Sequence, residues 1–500
     1  MKRNDERIGQ SRREFLHGAL GAGVVAALPA SRARAVDTPV RAEMPTSQSG
    51  EKDARAGSLP NIVYIHSHDT GRYVRPYGHA VPTPNLQRLA GEGVLFRKTF
   101  SAAPTCSPSR ASLLTGMCAH KNGMLGLAHR GWALNDYQQH IIHTLSKSGY
   151  TSVLAGLQHI AAKPETIGYD ILLPHKTNNA IYVAPAAVEY LAGKPKQPFF
   201  LDVGFFETHR KYAPPELPED NPAYIIPPSP IPDTPQTRED MAGFHASARL
   251  MDNGVGDVLA ALQRYGMAEN TIVLSTTDHG ISFPEMKCGL RDGGWGVSMI
   301  MRGPSDVFKS GMVCDALISQ LDVFPTLCDY LGIEKPAWLE GKSFLPVLRG
   351  EREEINDEVF AEVNYHAAYE PKRAVRTTRW KYARRYDGRK TAVLPNCDDG
   401  LSKTLWLNDG WQTNPLVHDE ELYDLIFDPA EQNDLAKSED HAAVLQEMRG
   451  RLDSWMKRTD DPLLRGPIAL PPGAKTTDPN AISPEGGGRV GSAGGSASKG

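Results

Sequence analysis

The 500 residues contain no internal repeat, no long basic run and no apolar stretch of the roughly 20 residues that a membrane-spanning helix needs. The first lack rules out a solenoid or propeller. The second, with a formal charge of −4, makes duplex nucleic acid a poor partner and leaves no nucleic-acid reading. The third leaves no stable membrane span. The six cysteines (106, 118, 288, 314, 328 and 397) include no Cys-x-x-Cys pair, so the spacing predicts no structural zinc ribbon. Glycine and proline, in contrast, are plentiful at 46 and 38 residues, about 17% together against an average near 12%. Loops must therefore take a large share of a chain that is 40% hydrophobic and long enough for a sizeable core.

Charge is unevenly placed. Residues 1–35 carry seven Lys/Arg and three acids, which leaves −8 on the remainder. Ser11-Arg12-Arg13-Glu14-Phe15-Leu16, a short apolar run from Gly18 to Pro29 and Ala33-Arg34-Ala35 have the form of a twin-arginine export signal with a small-x-small cleavage site. The expected product is periplasmic or secreted, with the twin-arginine translocase as a partner. Such a passenger folds in a reducing compartment, which argues against an essential disulfide framework.

Short apolar runs at Asn61–His66, Thr151–Ala155, Pro198–Phe206 and Thr271–Thr276 alternate with segments of helical period, such as 239–265. This alternation predicts an α/β fold, a large mostly parallel sheet sandwiched by helices. Shorter alternating runs from residue 351 predict a smaller C-terminal α+β domain. The expected organisation is a signal at 1–35, a polar spacer at 36–59, a catalytic domain at 60–350, the α+β domain at 351–465 and a disordered tail at 466–500.

All four runs lead into polar residues: His68-Asp69, His159, His209-Arg210 and Asp278-His279. Functional groups gather at such strand ends in open parallel sheets. Four of them in one sheet point to a single site holding a cation, with Asp69, Asp278 and His279 as ligands. The sharpest motif is Thr105-Cys106-Ser107-Pro108-Ser109-Arg110, running on to Gly116. Ser107 is read as the N-cap, Pro108 as the first helical residue and Gly116 as the stop. Cys106 would then sit at the positive end of a short helix, where a thiolate is favoured.

Cys106-x-Pro-Ser-Arg-Ala-Ser-Leu-Leu-Thr-Gly116 resembles the signature of the sulfatase family, in the alkaline-phosphatase-like superfamily. The resemblance runs from Asn61 to about Leu463, through Asn122-Gly-Met-Leu-Gly-Leu127, Pro164-Glu-Thr166, Thr208-His-Arg210 and Arg249-Leu-Met-Asp-Asn-Gly-Val-Gly256. Within the family it is similar to the heparan N-sulfatases and their bacterial relatives. The resemblance implies a formylglycine made from Cys106 by a maturation enzyme; its hydrated aldehyde attacks sulfur, and the second hydroxyl then expels sulfate.

It also implies Asp69, Asp278, His279, the modified Cys106 and, in place of a usual Asp, His68 around a divalent cation. Arg110 would hold the diol, His159 would assist elimination, His209 would act as general acid and Lys287 would stabilise the leaving group. His68 and His279 stand where oxygen ligands are frequent, which favours Ca²⁺ less and leaves Mn²⁺ or Mg²⁺ open. Leu157 stands where the family has a sulfate-binding lysine, and Lys163 or Arg210 would compensate. His366 and Arg373 are further candidate substrate contacts. The expected substrate is a sulfated carbohydrate, N-sulfoglucosamine-type groups first. The alternatives are an O-sulfatase, a phosphonate monoester or phosphodiester hydrolase, and a non-catalytic sulfoglycan-binding relative.

Overall fold

The computed structural model of the chain describes residues 59–304, 307–413 and 417–491. The expected export signal lies outside the described residues. The central sheet has eight strands in the order Met312–Cys314, Val94–Phe96, Met299–Arg302, Thr271–Thr277, Asn61–Ser67, Phe199–Gly204, Thr151–Gly156 and Ile171–Leu172. Only Met299–Arg302 runs antiparallel to its neighbours. Asn61–Ser67 is buried along its whole length. Ile62 and Tyr64 enter one core cluster, while Val63 and Ile65 enter the other. An apolar run, Ile62–Ile65, with side chains buried on both sides is what a sheet covered on both faces requires. Helices Ala180–Ala192 and Pro235–Arg264 pack on one face, and Cys106–Thr115 and Val323–Leu331 on the other.

Thr271–Thr277, Asn61–Ser67, Phe199–Gly204 and Thr151–Gly156 are neighbours, and all are parallel. Their carboxyl ends therefore open on one edge. The pairing of Ser67 with Thr277, and of His66 and Gly156 with Gly204, brings the four polar strand ends to the same level. Here the sequence pattern translates directly into a site.

A second sheet, antiparallel throughout, follows the order Val359–Tyr365, Tyr369–Arg376, Trp380–Arg385 and Glu420–Asp424. Helix Ala442–Arg458 covers it through Leu445, Met448, Leu452 and Trp455. Its opposite face shares a cluster with Phe100, Leu290, Trp295 and Leu317, so a common core runs across residue 350. Among the described residues, no helix is long and apolar enough to cross a membrane.

Over residues 467–491 the chain departs from the expectation of a disordered tail; residues 492–500 lie outside the described residues. Lys475–Thr477 pairs with Gly488–Val490, Thr477 N–H donates to Ala367 O at 2.7 Å, and Arg130 donates to Thr477 Oγ1 and to Pro484 O at 3.1 Å each. Lys403 Nζ donates to Ile482 O at 2.7 Å. A Pro- and Gly-rich composition signals little apolar burial; here half-buried Arg130 and buried Lys403 from elsewhere in the fold supply the anchoring instead.

Candidate active site

Helix Cys106–Thr115 begins two residues earlier than its sequence suggests: Thr105 is the N-cap and Cys106 the first helical residue. All ten residues are buried. Ser109 is held by Asp278 O at 2.7 Å and Gln320 Oε1 at 2.9 Å, so the helix is fixed from its polar face. Gly116 ends it at φ +67°, where an added Cβ would lie 2.5 Å from Leu339 Cδ2.

Cys106 Sγ lies 3.2 Å from His279 Nε2 and 3.8 Å from Asp69 Oδ1. His68, Asp69, Cys106 and Asp278 each offer one ligand atom within 4.8 Å of the others. His279 Nδ1 lies 3.0 Å from Gly280 O, which commits Nδ1–H to the carbonyl and turns the Nε2 lone pair inward. His68 Nδ1 is 3.1 Å from Asp278 Oδ2, yet neither ring nitrogen makes a hydrogen bond. Buried polar atoms are rarely left so. Two carboxylates and two imidazoles converging on one buried point fit a divalent cation.

Burial opposes ionisation of Asp69, but Lys287, His209 and His279 outweigh it and hold the carboxyl at about 2. Asp278 is likewise ionised against its burial, by His279, Arg110 and His68. Burial and then Arg110 lower His68 to about 3, leaving it neutral and able to ligate. Cys106 departs from expectation. Burial pushes its thiol well above the usual value, with Asp69 and Asp278 adding to the rise against Lys287 and Arg110. The helix terminus does not overcome two carboxylates in a dry site.

Arg110 is fully buried and donates to Ser67 O at 2.7 Å and Asp278 Oδ2 at 3.0 Å. Its other terminal nitrogen meets His66, which Asp202 holds at 2.8 Å and Tyr169 supports through Asp202 at 2.6 Å. Lys287 Nζ donates to Asp69 Oδ2 at 2.8 Å and Asp398 Oδ2 at 2.6 Å, and faces His209 Nε2 at 3.3 Å. Burial lowers its pKa, but Asp398 and Asp69 raise it well above the ordinary lysine value. His209 Nδ1 is 2.6 Å from Arg210 O.

His159, at φ +57°, lies beside His68 with ring centroids 5.3 Å apart. Its Nε2 is 2.9 Å from His129 Nδ1. Burial, with His68 and His129, holds its pKa well below the usual histidine value. His366 is buried, within the electrostatic reach of Lys287, Asp398, His279 and Asp69.

Two of the other tentative substrate contacts, Arg210 and Arg373, are engaged in ion pairs instead. Arg210 forms a bidentate pair with Asp240 at 2.7 Å for each nitrogen, donates Nε–H to Ser282 O at 3.0 Å and stacks on Tyr212. Arg373 is buried against Asp461 at 2.6 and 2.9 Å, with Glu362 3.5 Å away. Lys163 is exposed ahead of the turn Pro164–Thr166. Arg210→Met should therefore cost about 3–5 kcal/mol of stability, as expected for an uncompensated buried Asp240, with KM for substrate unchanged. Denaturant midpoints and initial rates measure the two.

Asp398, Ser282 and His129 were missed by sequence reasoning. Ser282 Oγ donates to Asp69 Oδ2 at 3.1 Å and also meets Asp398. Asp398 lies in a loop more than a hundred residues from Lys287, in a Cys-Asp-Asp-Gly run that reads as a turn. No local periodicity marks it. His129 follows a Gly-Leu-Ala turn and precedes Trp132, which packs in the core, and nothing local links it to His159.

With the fold and this centre described, the comparisons bear on its class. A family model described as Sulfatase matches residues 60–333. A second, N-sulphoglucosamine sulphohydrolase, C-terminal, matches residues 290–397. The chain is 30% identical over 466 residues to human N-sulphoglucosamine sulphohydrolase, covering 81% of this chain and 92% of the relative. It is 29% identical over 432 residues to an ulvan-active sulfatase of Formosa agariphila, covering 84% of each. Among solved structures, one in complex with its substrate D-glucosamine-2-N,6-O-disulfate superposes with a TM-score of 0.64 at 18% identity, over 81% of this chain and 99% of that one. The protein is a hydrolase. It belongs to the sulfatase family.

Proposed function

We propose that this chain removes sulfate from an N-sulfoglucosamine-type group of a carbohydrate, using a formylglycine made from Cys106 and a divalent cation. What carries the reading is the placement of Cys106, the first residue of a wholly buried helix, with Sγ between His279 and Asp69. The match to the N-sulphoglucosamine sulphohydrolase C-terminal model and to the human relative supports the choice of sugar.

Formylglycine supplies a hydrated aldehyde as nucleophile and sulfate carrier. The cation, held by Asp69, Asp278, His279 and His68, supplies positive charge at the sulfate oxygens. Ca²⁺ is the first candidate; His68 and His279 in place of hard oxygen ligands make it less secure and leave Mn²⁺ or Mg²⁺ open. Arg110 orients the nucleophile, its own position fixed by Ser67 O, Asp278 and His66. His209, with Nδ1–H on Arg210 O and Nε2 3.3 Å from Lys287, acts as general acid in its doubly protonated form, passing the Nε2 proton to the departing nitrogen and becoming the neutral ring that Lys287 then faces. Lys287, charged and held by two carboxylates, stabilises the negative charge in that transfer. His159, neutral and backed by His129, accepts the proton when sulfate leaves.

Residues 1–35 would direct the chain through the twin-arginine translocase to the periplasm or beyond. That route lets a cytoplasmic maturation enzyme reach Cys106 first.

Protein matured in its native host, assayed on N-sulfoglucosamine, an aryl sulfate and an aryl phosphonate, tests the reading. The expected result is a kcat/KM on the N-sulfated sugar at least about 100-fold above the other two. No release from the sugar alongside turnover of an O-sulfate would transfer the protein to the O-sulfatases. Inactivity of formylglycine-bearing protein on all three would make it a binding protein.

A further inference from the structure

Behind Arg110 runs a buried chain of three polar side chains, His66, Asp202 and Tyr169. Strands Asn61–Ser67 and Phe199–Gly204 turn one face toward helix Cys106–Thr115, and Ile62, Tyr64 and Phe200 pack in the core on that side. His66 and Asp202 interrupt the apolar pattern there, with side chains 2% and 0% exposed. Space for the His66 ring comes from Gly204, where an added Cβ would lie 2.5 Å from His66 Cε1, and Tyr64 stacks on the ring with centroids 4.7 Å apart.

Buried polar groups cost free energy unless each finds a partner, and here the partners fix the position of every proton. A guanidinium has no acceptor, so the contact between Arg110 Nη1 and His66 Nδ1 requires a lone pair on Nδ1. The ring proton of the neutral imidazole then sits on Nε2, where Asp202 Oδ1 accepts it at 2.8 Å. Tyr169 O–H donates to Asp202 Oδ2 at 2.6 Å. Burial, with Asp202 beside it, raises the pKa of that phenol and keeps it a donor.

The second terminal nitrogen of Arg110 is spent as well, since Nη2 donates to Ser67 O at 2.7 Å and to Asp278 Oδ2 at 3.0 Å. Nε is buried without a partner, and Arg110 lies within electrostatic reach of Cys106. The donors left for the nucleophile are therefore Nε–H and the second Nη1–H. An imidazole anchors Nη1 without cancelling the guanidinium charge, as a carboxylate in direct contact would. Asp202, on the far side of the ring, holds it in the accepting tautomer, the service a carboxylate renders to a catalytic histidine.

We infer that His66, Asp202 and Tyr169 are positioning residues for the reaction: the carboxylate sets the His66 tautomer, and the imidazole fixes the edge that Arg110 turns to the nucleophile. The inference rests on the reading of Arg110 as the group that orients the nucleophile and on no particular sugar. Tyr169 and Asp202 stand on separate elements, 59 and 92 residues beyond Arg110, so the nucleophile is held in part from outside its own motif.

Matured protein, assayed on whichever of the three test compounds it turns over, gives the first measurement. His66→Leu/Asp202→Asn removes the acceptor without leaving a bare carboxylate. Its kcat should fall on the order of 100-fold, the cost of a reacting group about 1 Å out of place, with KM within about threefold of wild type. His66→Gln, whose amide offers an oxygen to Arg110 and an N–H to Asp202, should regain at least about a tenth of wild-type kcat. A double variant within about threefold of wild-type kcat, a loss that falls on KM, or a loss that His66→Gln shares in full overturns the role. The second measurement needs neither turnover nor maturation. In Cys106→Ala protein labelled with ¹⁵N-histidine, His66, recognised as the signal missing from Cys106→Ala/His66→Gln, should carry its proton on Nε2 and none on Nδ1. A proton on Nδ1, alone or with one on Nε2, overturns the relay. Wild type inactive on all three compounds would overturn the proposed function, while the nitrogen signals would still decide the relay.

Discussion

Cys106→Ala protein is expected to release sulfate on the order of 10⁴- to 10⁶-fold more slowly than matured wild type, the scale seen when a covalent nucleophile is removed. The fold should survive. Cys106 Sγ touches His279 Nε2 and Asp69 Oδ1, while the helix itself is anchored by Ser109 and Arg110. The structure also explains why an unmodified cysteine is no substitute. Burial beside two aspartates pushes its thiol up, and neither a thiol nor a serine hydroxyl has the second hydroxyl from which a diol would expel sulfate. Cys106→Ser, and wild type made without the maturation enzyme, should accordingly be as inactive as the alanine variant. Sulfate release, read beside the mass of the tryptic peptide Thr99–Arg110, measures this. Turnover by protein whose Cys106 remains an unmodified thiol would remove formylglycine from the mechanism.

The parts of this site visible in the sequence are those carried by the parallel strands. An apolar run ending in His-Asp or Asp-His announces itself, and parallel pairing of four such runs forces their ends together; Asp69, His159, His209 and Asp278 were legible for that reason. What sequence could not supply was the use of each charge. Arg210 and Arg373 look alike as candidate anion contacts, yet both are spent on buried aspartates, Asp240 and Asp461. Asp398 is the reverse case: an unremarkable turn residue on the page, and the direct partner of Lys287 in the fold. Ion-pair partners separated by more than a hundred residues leave no periodicity to read. The docked segment after Gly466 escaped for the same reason, since its anchors are Arg130 and Lys403 rather than its own composition.

Lys287→Met is the second large effect, and it separates catalysis from stability. Lys287 has no exposed side-chain surface and serves Asp69, itself fully buried, and Asp398, which is 17% exposed. Removing the ammonium leaves two carboxylates facing each other without a counter-charge, a loss of about 3–5 kcal/mol. It also removes the charge set against the leaving atom and His209, a loss on the order of 10²- to 10³-fold in kcat. Lys287→Met/Asp398→Asn removes one charge of each sign, so the net charge around Asp69 returns to its wild-type value, and the double variant should recover part of the stability while kcat stays low. Lys287→Arg should keep both carboxylates paired, but its planar fork cannot keep the single point contact with His209 Nε2 that the ammonium makes at 3.3 Å. Thermal unfolding and kcat, measured on the same four proteins, give the comparison. If the double variant recovered turnover along with stability, Lys287 would be a positioning residue for Asp69, and the charge at the leaving group would have to come from His209 alone.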